Sequence, residues 1–390
     1  MQKLVWSNLA AQLAEQISLA AIPLVAVLAF GAGAGETGLL QTAQTLPFLL
    51  FALPAGLLAD RLSRTRLLVC GEVLRTVSLA SVVLLVYSAQ LTLPLLGFLG
   101  LLGACGTVLY SVVAPALVPA YVGPGGLALA NSRLELARTV AFALGPVLAG
   151  ALLGIKAFGL AAVLSSIAVL LLSRLPEPQR SRPATRRISA ELAEGARFVF
   201  SHPLLRPVFI TQVVFSVAIY AIQAVFVPYA VQSLGLSAAA VGWVLGCYGA
   251  GMVLGALAAP RVARALSFGA MVTVGPVCGL AASLLLVLTL WTPSGALAAA
   301  AFFLFGSGPI LWVISTTTLR QTVTPAALLG RVSAINIMAY GARPIGAALG
   351  TALAATWTPS VALVVAAAGF LIQLCVIAAS PAARLVRQPA

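Results

Sequence analysis

Long apolar runs alternate with short polar connectors along the whole chain. They lie at about 5–30, 39–59, 67–88, 91–117, 132–154, 157–175, 207–231, 238–259, 267–290, 295–319, 330–355 and 360–380. Each is close to the roughly 20 residues a helix needs to cross hydrocarbon, so the pattern predicts twelve membrane-spanning helices. The runs are continuous, as in Ala161–Leu172 and Gly279–Leu290, and do not alternate residue by residue. A lipid-facing β-barrel, which needs that alternation, is excluded.

One connector is longer and polar, from about 176 to 206. It opens with Pro176, Pro178, Pro183, Arg186 and Arg187. A short amphipathic helix follows, with Ile188, Leu192 and Val199 on one face and Glu191, Glu194 and Arg197 on others. Such a helix is expected along the cytoplasmic membrane surface. His202, the only histidine, stands in Ser201-His202-Pro203 and reads as a turn residue. The predicted organisation is an N-terminal six-helix bundle (1–175), a cytoplasmic linker (176–206) and a C-terminal six-helix bundle (207–390).

Composition narrows the class. Of 390 residues, 61% are hydrophobic and 8% charged, against about 25% charged in an ordinary soluble domain. Mean hydropathy is +1.10. A polytopic all-α membrane protein is the remaining class. The net charge of +14 would suggest nucleic acid as partner in a soluble protein. Here the basic residues fall where membrane topology puts them, and no nucleic acid partner is expected.

Connectors after even-numbered spans carry Arg61, Arg64 and Arg66; Arg133; the Arg174–Arg206 stretch; Arg261 and Arg264; Arg320 and Arg331. Those after odd-numbered spans carry Lys156 alone, while Lys3, Arg384 and Arg387 flank the termini. Positive charge stays inside, which predicts both termini in the cytoplasm. Twenty of the 22 basic residues are Arg; with so much Ala, Leu and Gly, this bias suggests a GC-rich bacterial genome, and the expected location is a bacterial inner membrane. Met1–Lys3 leads straight into a span too long for the apolar core of a cleavable signal. The five cysteines (Cys70, Cys105, Cys247, Cys278, Cys375) have no paired spacing and read as small buried hydrophobes.

The two sides of the linker look like copies. Ile22-Pro23 matches Val227-Pro228, Gly38 matches Gly242, and Gly56-Leu-Leu-Ala matches Gly255-Ala-Leu-Ala. Arg133 and Pro146 in span 5 match Arg331 and Pro344 in span 11. Internal symmetry of this kind is a transporter signature, because alternating access rocks one half against the other around a midplane site.

Between spans 2 and 3 runs Gly56-Leu57-Leu58-Ala59-Asp60-Arg61-Leu62-Ser63-Arg64-Thr65-Arg66. It resembles the loop signature of the major facilitator superfamily, Gly-x-x-x-Asp-Arg-x-Gly-Arg-Arg, departing where Ser63 replaces the second glycine. The resemblance implies a gating role for Gly56, Asp60, Arg61 and Arg64, and Arg331, the counterpart of Arg133 at the start of span 11, is expected at the gate with them. The equivalent second loop carries Ala259 where Asp60 stands, so the gate is asymmetric. In span 5, Gly145-Pro146-Val-Leu-Ala-Gly150 resembles the Gly-Pro-x-x-x-Gly element of antiporter members. Proline frees a carbonyl and bends a helix, and small residues admit a close neighbour; generic small-residue packing is the plainer reading. Within the superfamily the chain is similar to the branch of enterobactin-type siderophore exporters and macrolide efflux pumps. The stretches that carry this are Pro115-Ala-Leu-Val-Pro119, Ala130-Asn131-Ser132, Glu194-Gly195-Ala-Arg-Phe198 with Pro203-Leu204-Leu205, and Leu329-Gly330-Arg331-Val332. Span 4 lacks the arginine found in many proton-coupled drug exporters.

Charges inside the membrane are expensive and usually functional. Glu72 with Arg75, and Glu135 with Arg138, are spaced i, i+3 and read as local ion pairs near the cytoplasmic ends. Glu15 lies mid-span with no basic residue within a turn. Two readings stand for it: a proton carrier, or a structural acid paired across helices. Asn336, Tyr340 and Arg343 fall at i, i+4 and i+7 on span 11, a polar stripe that cannot face lipid. Arg343 either meets an anionic substrate bidentately or pairs with Glu15 or a carbonyl. Tyr220 and Gln223 join Ser216 on span 7, and spans 2, 4 and 10 add Gln41, Gln44, Tyr110 and Trp312. Amides and aromatics around an apolar cavity suit amphipathic ligands.

No phosphate-cradling Gly-x-x-x-x-Gly-Lys-Ser/Thr, no nucleophile–base constellation and no His/Cys cluster occurs. The chain is therefore read as no enzyme, without cofactor or metal. The expectation is a monomeric secondary efflux transporter in the lipid bilayer, exchanging protons for a small anionic or amphipathic molecule, a drug or a siderophore. The alternatives are a dedicated siderophore exporter and an importer of a nutrient or lipid on the same fold.

Overall fold

The computed structural model describes residues 2–52, 54–55, 58, 62–121, 127–176, 188–325 and 328–387. The gating positions Gly56, Asp60 and Arg61 lie outside the described residues. The N-terminal helices are α1 (Gln2–Phe30), α2 (Ala34–Leu50), α3 (Arg64–Tyr87), α4 (Leu93–Tyr121), α5 (Leu127–Leu152) and α6 (Gly154–Ser173). The linker helix is α7 (Ile188–Ser201). Then come α8 (Leu205–Gln232), α9 (Ala238–Ala265), α10 (Phe268–Leu288), α11 (Gly295–Val323), α12 (Leu329–Met338), α13 (Ala342–Thr356) and α14 (Pro359–Ala378).

Among the described residues, ten helices are long and apolar enough to cross a membrane. The other two expected spans are shorter pieces. Helix α2 has 17 residues. Span 11 is divided into α12 and α13 by a 3-10 turn at Ala339–Gly341. The division falls just before Pro344, which offers no N–H to the Tyr340 carbonyl.

Helix packing repeats across the linker. In the first half α1 packs on α5 and α6, α3 on α4 and α6, and α2 on α4. In the second, α8 packs on α13 and α14, α10 on α11 and α14, and α9 on α11. These are the same pairings shifted by six spans, giving two pseudo-symmetric six-helix bundles. Apolar side chains fill each bundle, with Phe226, Phe302, Phe305 and Phe370 in a chain of tilted and edge-on ring contacts in the second and Ile17, Leu96 and Phe158 in the first.

The bundles meet along two seams, α5 on α9 and α2 on α13. Glycines set the spacing of both. Gly150 and Gly242 approach backbone to backbone, Gly242 also meeting the Pro146 carbonyl, and Gly38 sits against Thr351. A Cβ at any of these would collide, so small residues are what bring the halves together. The contacts lie towards the C-terminal ends of α5 and α13 and the N-terminal ends of α2 and α9, the end opposite the linker. There Leu24 and Val27 of α1 join the second bundle's core, and Gln232 donates to the Ala32 carbonyl at 3.5 Å.

Helix α7 packs on α12, with Val199 buried beside Val332, Ile335 and Leu205. Gly195 lets the Arg331 backbone come close, and Glu194 pairs with the Arg331 guanidinium. His202 Nδ1 accepts from the N–H groups of Leu204 and Leu205 at 3.2 and 3.4 Å, covering donors that the start of α8 leaves open. Cys70 and Cys375 are exposed and not buried as expected; on apolar helices of this kind that places them towards lipid.

Candidate functional site

Between the bundles lies a cavity of about 640 Å³, within the range that holds a drug-sized ligand. Helix α1 contributes a stripe of Asn8, Gln12, Glu15, Leu19 and Ile22 at successive turns. From α2 come Gln41, Gln44 and Phe48; from α4, Tyr110; from α5, Glu135, Arg138, Phe142 and Pro146. The second half adds Tyr220, Gln223 and Phe226 from α8, Tyr248 from α9, and Tyr340 and Arg343 from span 11. The lining runs from Asn8 and Leu134 near the linker end to Val227 deep under the glycine seams. The glycine contacts close the cavity at the seam end.

Arg75 anchors the first-half wall. Its guanidinium is 3% exposed, lying eight to eleven residues along α3 with Glu72. Nη1 donates to Glu72 Oε1 at 2.6 Å and to the Ala11 carbonyl at 3.0 Å, and Nη2 to Thr107 Oγ1 at 2.7 Å. Ser165 Oγ donates to the other Glu72 oxygen at 2.9 Å. Glu15 stands at 3.9 Å from Arg75 and forms no hydrogen bond among the described residues. The expected Glu72–Arg75 pair is present, but as a deep hub joining α1, α3, α4 and α6, and it brings a cation to Glu15 that the sequence around Glu15 does not contain.

Arg343 occupies the opposite wall. Its guanidinium lies over three rings: Tyr340 at 4.2 Å, Phe48 at 4.6 Å and Tyr220 at 5.4 Å. Among the described residues it has no ion pair and no hydrogen bond. Such stacking steadies a cation through the ring faces while the in-plane N–H donors stay open. Pairing with Glu15 is not what this structure shows.

Nine cavity residues were expected from sequence. Arg343, Tyr340, Tyr220, Gln223, Gln41, Gln44 and Tyr110 line it. Asn336 and Trp312 do not. The 3-10 turn at Ala339–Gly341 winds tighter than an α-helix, so Asn336 leaves the stripe and joins a small cleft with Arg320 and Val199; its carbonyl accepts from Gln212 at 3.4 Å. Trp312 packs in the second bundle's core with Val208, Val272 and Leu319, because Gly275 leaves room for the indole. Ser216 is buried outside the cavity.

Gly145 packs on Gln16, and Gly150 on Ala238 and Gly242; Pro146 lies in an unbroken α5 and lines the cavity. Arg64 begins α3 behind the Ser63 cap. Arg331 is held by the linker helix.

Sequence reading missed Arg75, Phe48, Glu135, Arg138, Phe142 and Tyr248 as cavity residues. Two signals were available: the Asn8, Gln12, Glu15 spacing repeats the i, i+4, i+7 stripe of span 11, and Arg75 lies too far into its span to be a topology signal. Nothing in the sequence marks Phe48.

Two symmetric helical bundles around a central cavity, with paired and unpaired charges in its wall, define a multi-pass membrane transporter. The Major Facilitator Superfamily model matches residues 4–350, and the chain belongs to that superfamily. The multidrug efflux pump Tap of Mycolicibacterium fortuitum is 28% identical over 239 residues, 58% of this chain and 58% of that protein. The chain thus spans a little over half the length of that relative. Among solved structures, the nucleoside transporter NupG superposes with a TM-score of 0.75 at 14% identity, covering 97% of this chain and 99% of that one. A POT family transporter in complex with 5-aminolevulinic acid gives 0.79 at 11% identity, with 97% and 96% covered. These likenesses concern the fold.

Proposed function

We propose that the chain is a proton-coupled efflux transporter that moves small amphipathic molecules out of the cell by alternating access. The N-terminal bundle (1–175) and C-terminal bundle (207–390) rock about the cavity, tethered by the linker (176–206). We read it as a monomer in a bacterial inner membrane; arginine placement supports a cytoplasmic linker and cytoplasmic termini, an orientation in which the closed seam faces outward and this is the inward-facing form. Asp60, Arg61, Arg64 and Gly56 close the inner end in the opposite form, and Arg331 exchanges its linker partner as span 11 moves.

The observation that carries the reading is Glu15. It borders the cavity, is 15% exposed, and has only a long contact to an arginine already committed to Glu72, Thr107 and a carbonyl. An acid so placed can take a proton without dismantling the structure around it. Similarity to the Tap efflux pump supports export, as does the Gly145-Pro146 element.

The test is transport in proteoliposomes with an imposed pH gradient. With acid on the extracellular face, a fluorescent lipophilic dye should leave the cytoplasmic side faster than without a gradient. Glu15→Gln should keep the dye's downhill exchange and lose the acceleration. A wild-type protein indifferent to the gradient refutes proton coupling. Full gradient-driven efflux by Glu15→Gln removes Glu15 as carrier.

A further inference from the structure

Five charged side chains line the cavity: Glu15, Arg75, Glu135, Arg138 and Arg343. Two sets are closed among themselves. Arg75 is satisfied by Glu72. Arg138 is held by Glu135 at 2.6 Å and covered by Phe142. That leaves one acid and one base without a short partner, Glu15 on α1 of the first bundle and Arg343 on α13 of the second. They line the same cavity from opposite bundles.

Each leftover group asks for a different complement. A carboxylate without hydrogen bonds in a cavity wall suits a protonated amine. A guanidinium whose faces are covered by Tyr340, Phe48 and Tyr220 presents its donors edge-on, the geometry that takes a carboxylate or phosphate bidentately. The rings beside it suit a flat apolar body.

We infer that the cargo is a zwitterionic amphiphile that bridges the two bundles, its amine on Glu15 and its acid group on Arg343. This rests on the transport reading above and names its substrate class. It also supplies a coupling logic. A proton on Glu15 and a cationic amine compete for the same carboxylate, so loading one discharges the other, whereas a purely anionic cargo would be repelled by ionised Glu15. The charged groups that act on Glu15 and set this competition are Arg75 and Glu72 of α3, Arg138 of α5 and Arg343 of α13, and Glu135 of α5 lines the same cavity. Because the cargo touches both halves, its binding also bears on their relative position.

The experiment uses the purified full-length chain and four fluorescent ligands sharing one aromatic body. Norfloxacin carries an amine and a carboxylate at opposite ends. Its methyl ester keeps only the amine, its N-acetyl derivative only the acid, and the N-acetyl methyl ester neither. Fluorescence anisotropy near neutral pH should show norfloxacin binding about tenfold or more tightly than either singly charged form, as expected for a charge-assisted contact at each end. Lowering the pH should weaken norfloxacin and strengthen the N-acetyl acid, whose repulsion from Glu15 falls as that carboxylate takes up a proton. Arg343→Gln should erase the difference between acid and ester, and Glu15→Gln the difference between amine and acetamide. Arg343→Lys should retain part of the acid preference.

Equal binding of norfloxacin and either singly charged analogue by the wild-type protein overturns the inference, without any variant having to fold. So does failure of norfloxacin to bind by roughly 1 mM. Gradient-driven dye efflux alongside equal binding would sink this inference alone. Charge-selective binding without any gradient-driven efflux would sink the transport reading alone.

Discussion

Arg75 divides its donors unequally, with the shortest contacts to Glu72 and Thr107 and the longest to Glu15. That inequality keeps Glu15 available while holding the first bundle together. Arg75→Met would leave Glu72 buried with no cation beside it, and removing one member of a buried pair typically costs about 3–5 kcal/mol. Denaturant unfolding in detergent should register that loss, and adding Glu72→Gln should return part of it. A change under about 1 kcal/mol would mean the hub contributes little. Much of this was hidden in the sequence. The i, i+3 spacing announced the Glu72–Arg75 pair, but not that it points inward at α1. The facing side of a nearly uniform apolar helix is set by its neighbours, and charge spacing along one helix says nothing about a second. Trp312 was misplaced for a similar reason: an aromatic reads alike as cavity lining or core, and the gap that admits it is made by Gly275, on another helix.

At the scale of elements, the chain's periodicity located the spans well, and the half-chain matches found the seams. Gly38 and Gly242, paired on sequence, both prove to be contact points between bundles. What sequence did not reveal was the break in span 11. Pro146 and Pro344 match in position, yet α5 runs on through its proline while span 11 divides before its own. The seams make a prediction. Gly242→Leu would force bulk between Pro146 and Gly150, and overpacking costs about 1–3 kcal/mol. The penalty falls on the form with the seam closed, so the population should move roughly tenfold towards the opposite form. A cysteine at Gln41, in an otherwise cysteine-free chain, should then react faster with an impermeant thiol reagent added from outside. An unchanged rate would show that the seam does not hold the outer end shut.

The linker junction carries a pH dependence. His202 is half-buried, and burial pushes its imidazole below the usual histidine value. The neutral ring is the form whose Nδ1 accepts from Leu204 and Leu205. Its contribution is therefore present above about 6.5, the ordinary histidine value, and is lost as pH falls through the lowered one. Protection of the Leu204 and Leu205 amides from hydrogen exchange, corrected for intrinsic rate, should drop with acid. His202→Ala should show the same low protection already at neutral pH. Protection that rises on acidification would contradict the assigned acceptor.

For the whole molecule, twelve apolar runs, arginines on alternate connectors and a repeat near half the chain length were enough to expect two bundles. The closed end was not foreseeable, since which seam is shut depends on conformation and not on composition. The central claim is that the two bundles tilt as bodies about the cavity, and spin-label distances across one seam test it most directly. Labels at Arg133 and Arg261 report the linker end of α5 and α9, and labels at Ala151 and Ala239 the opposite end; all four positions are exposed. On adding cargo under a pH gradient, the first distance should shorten while the second lengthens. Distances that stay fixed, or that change together in the same direction, would contradict the account.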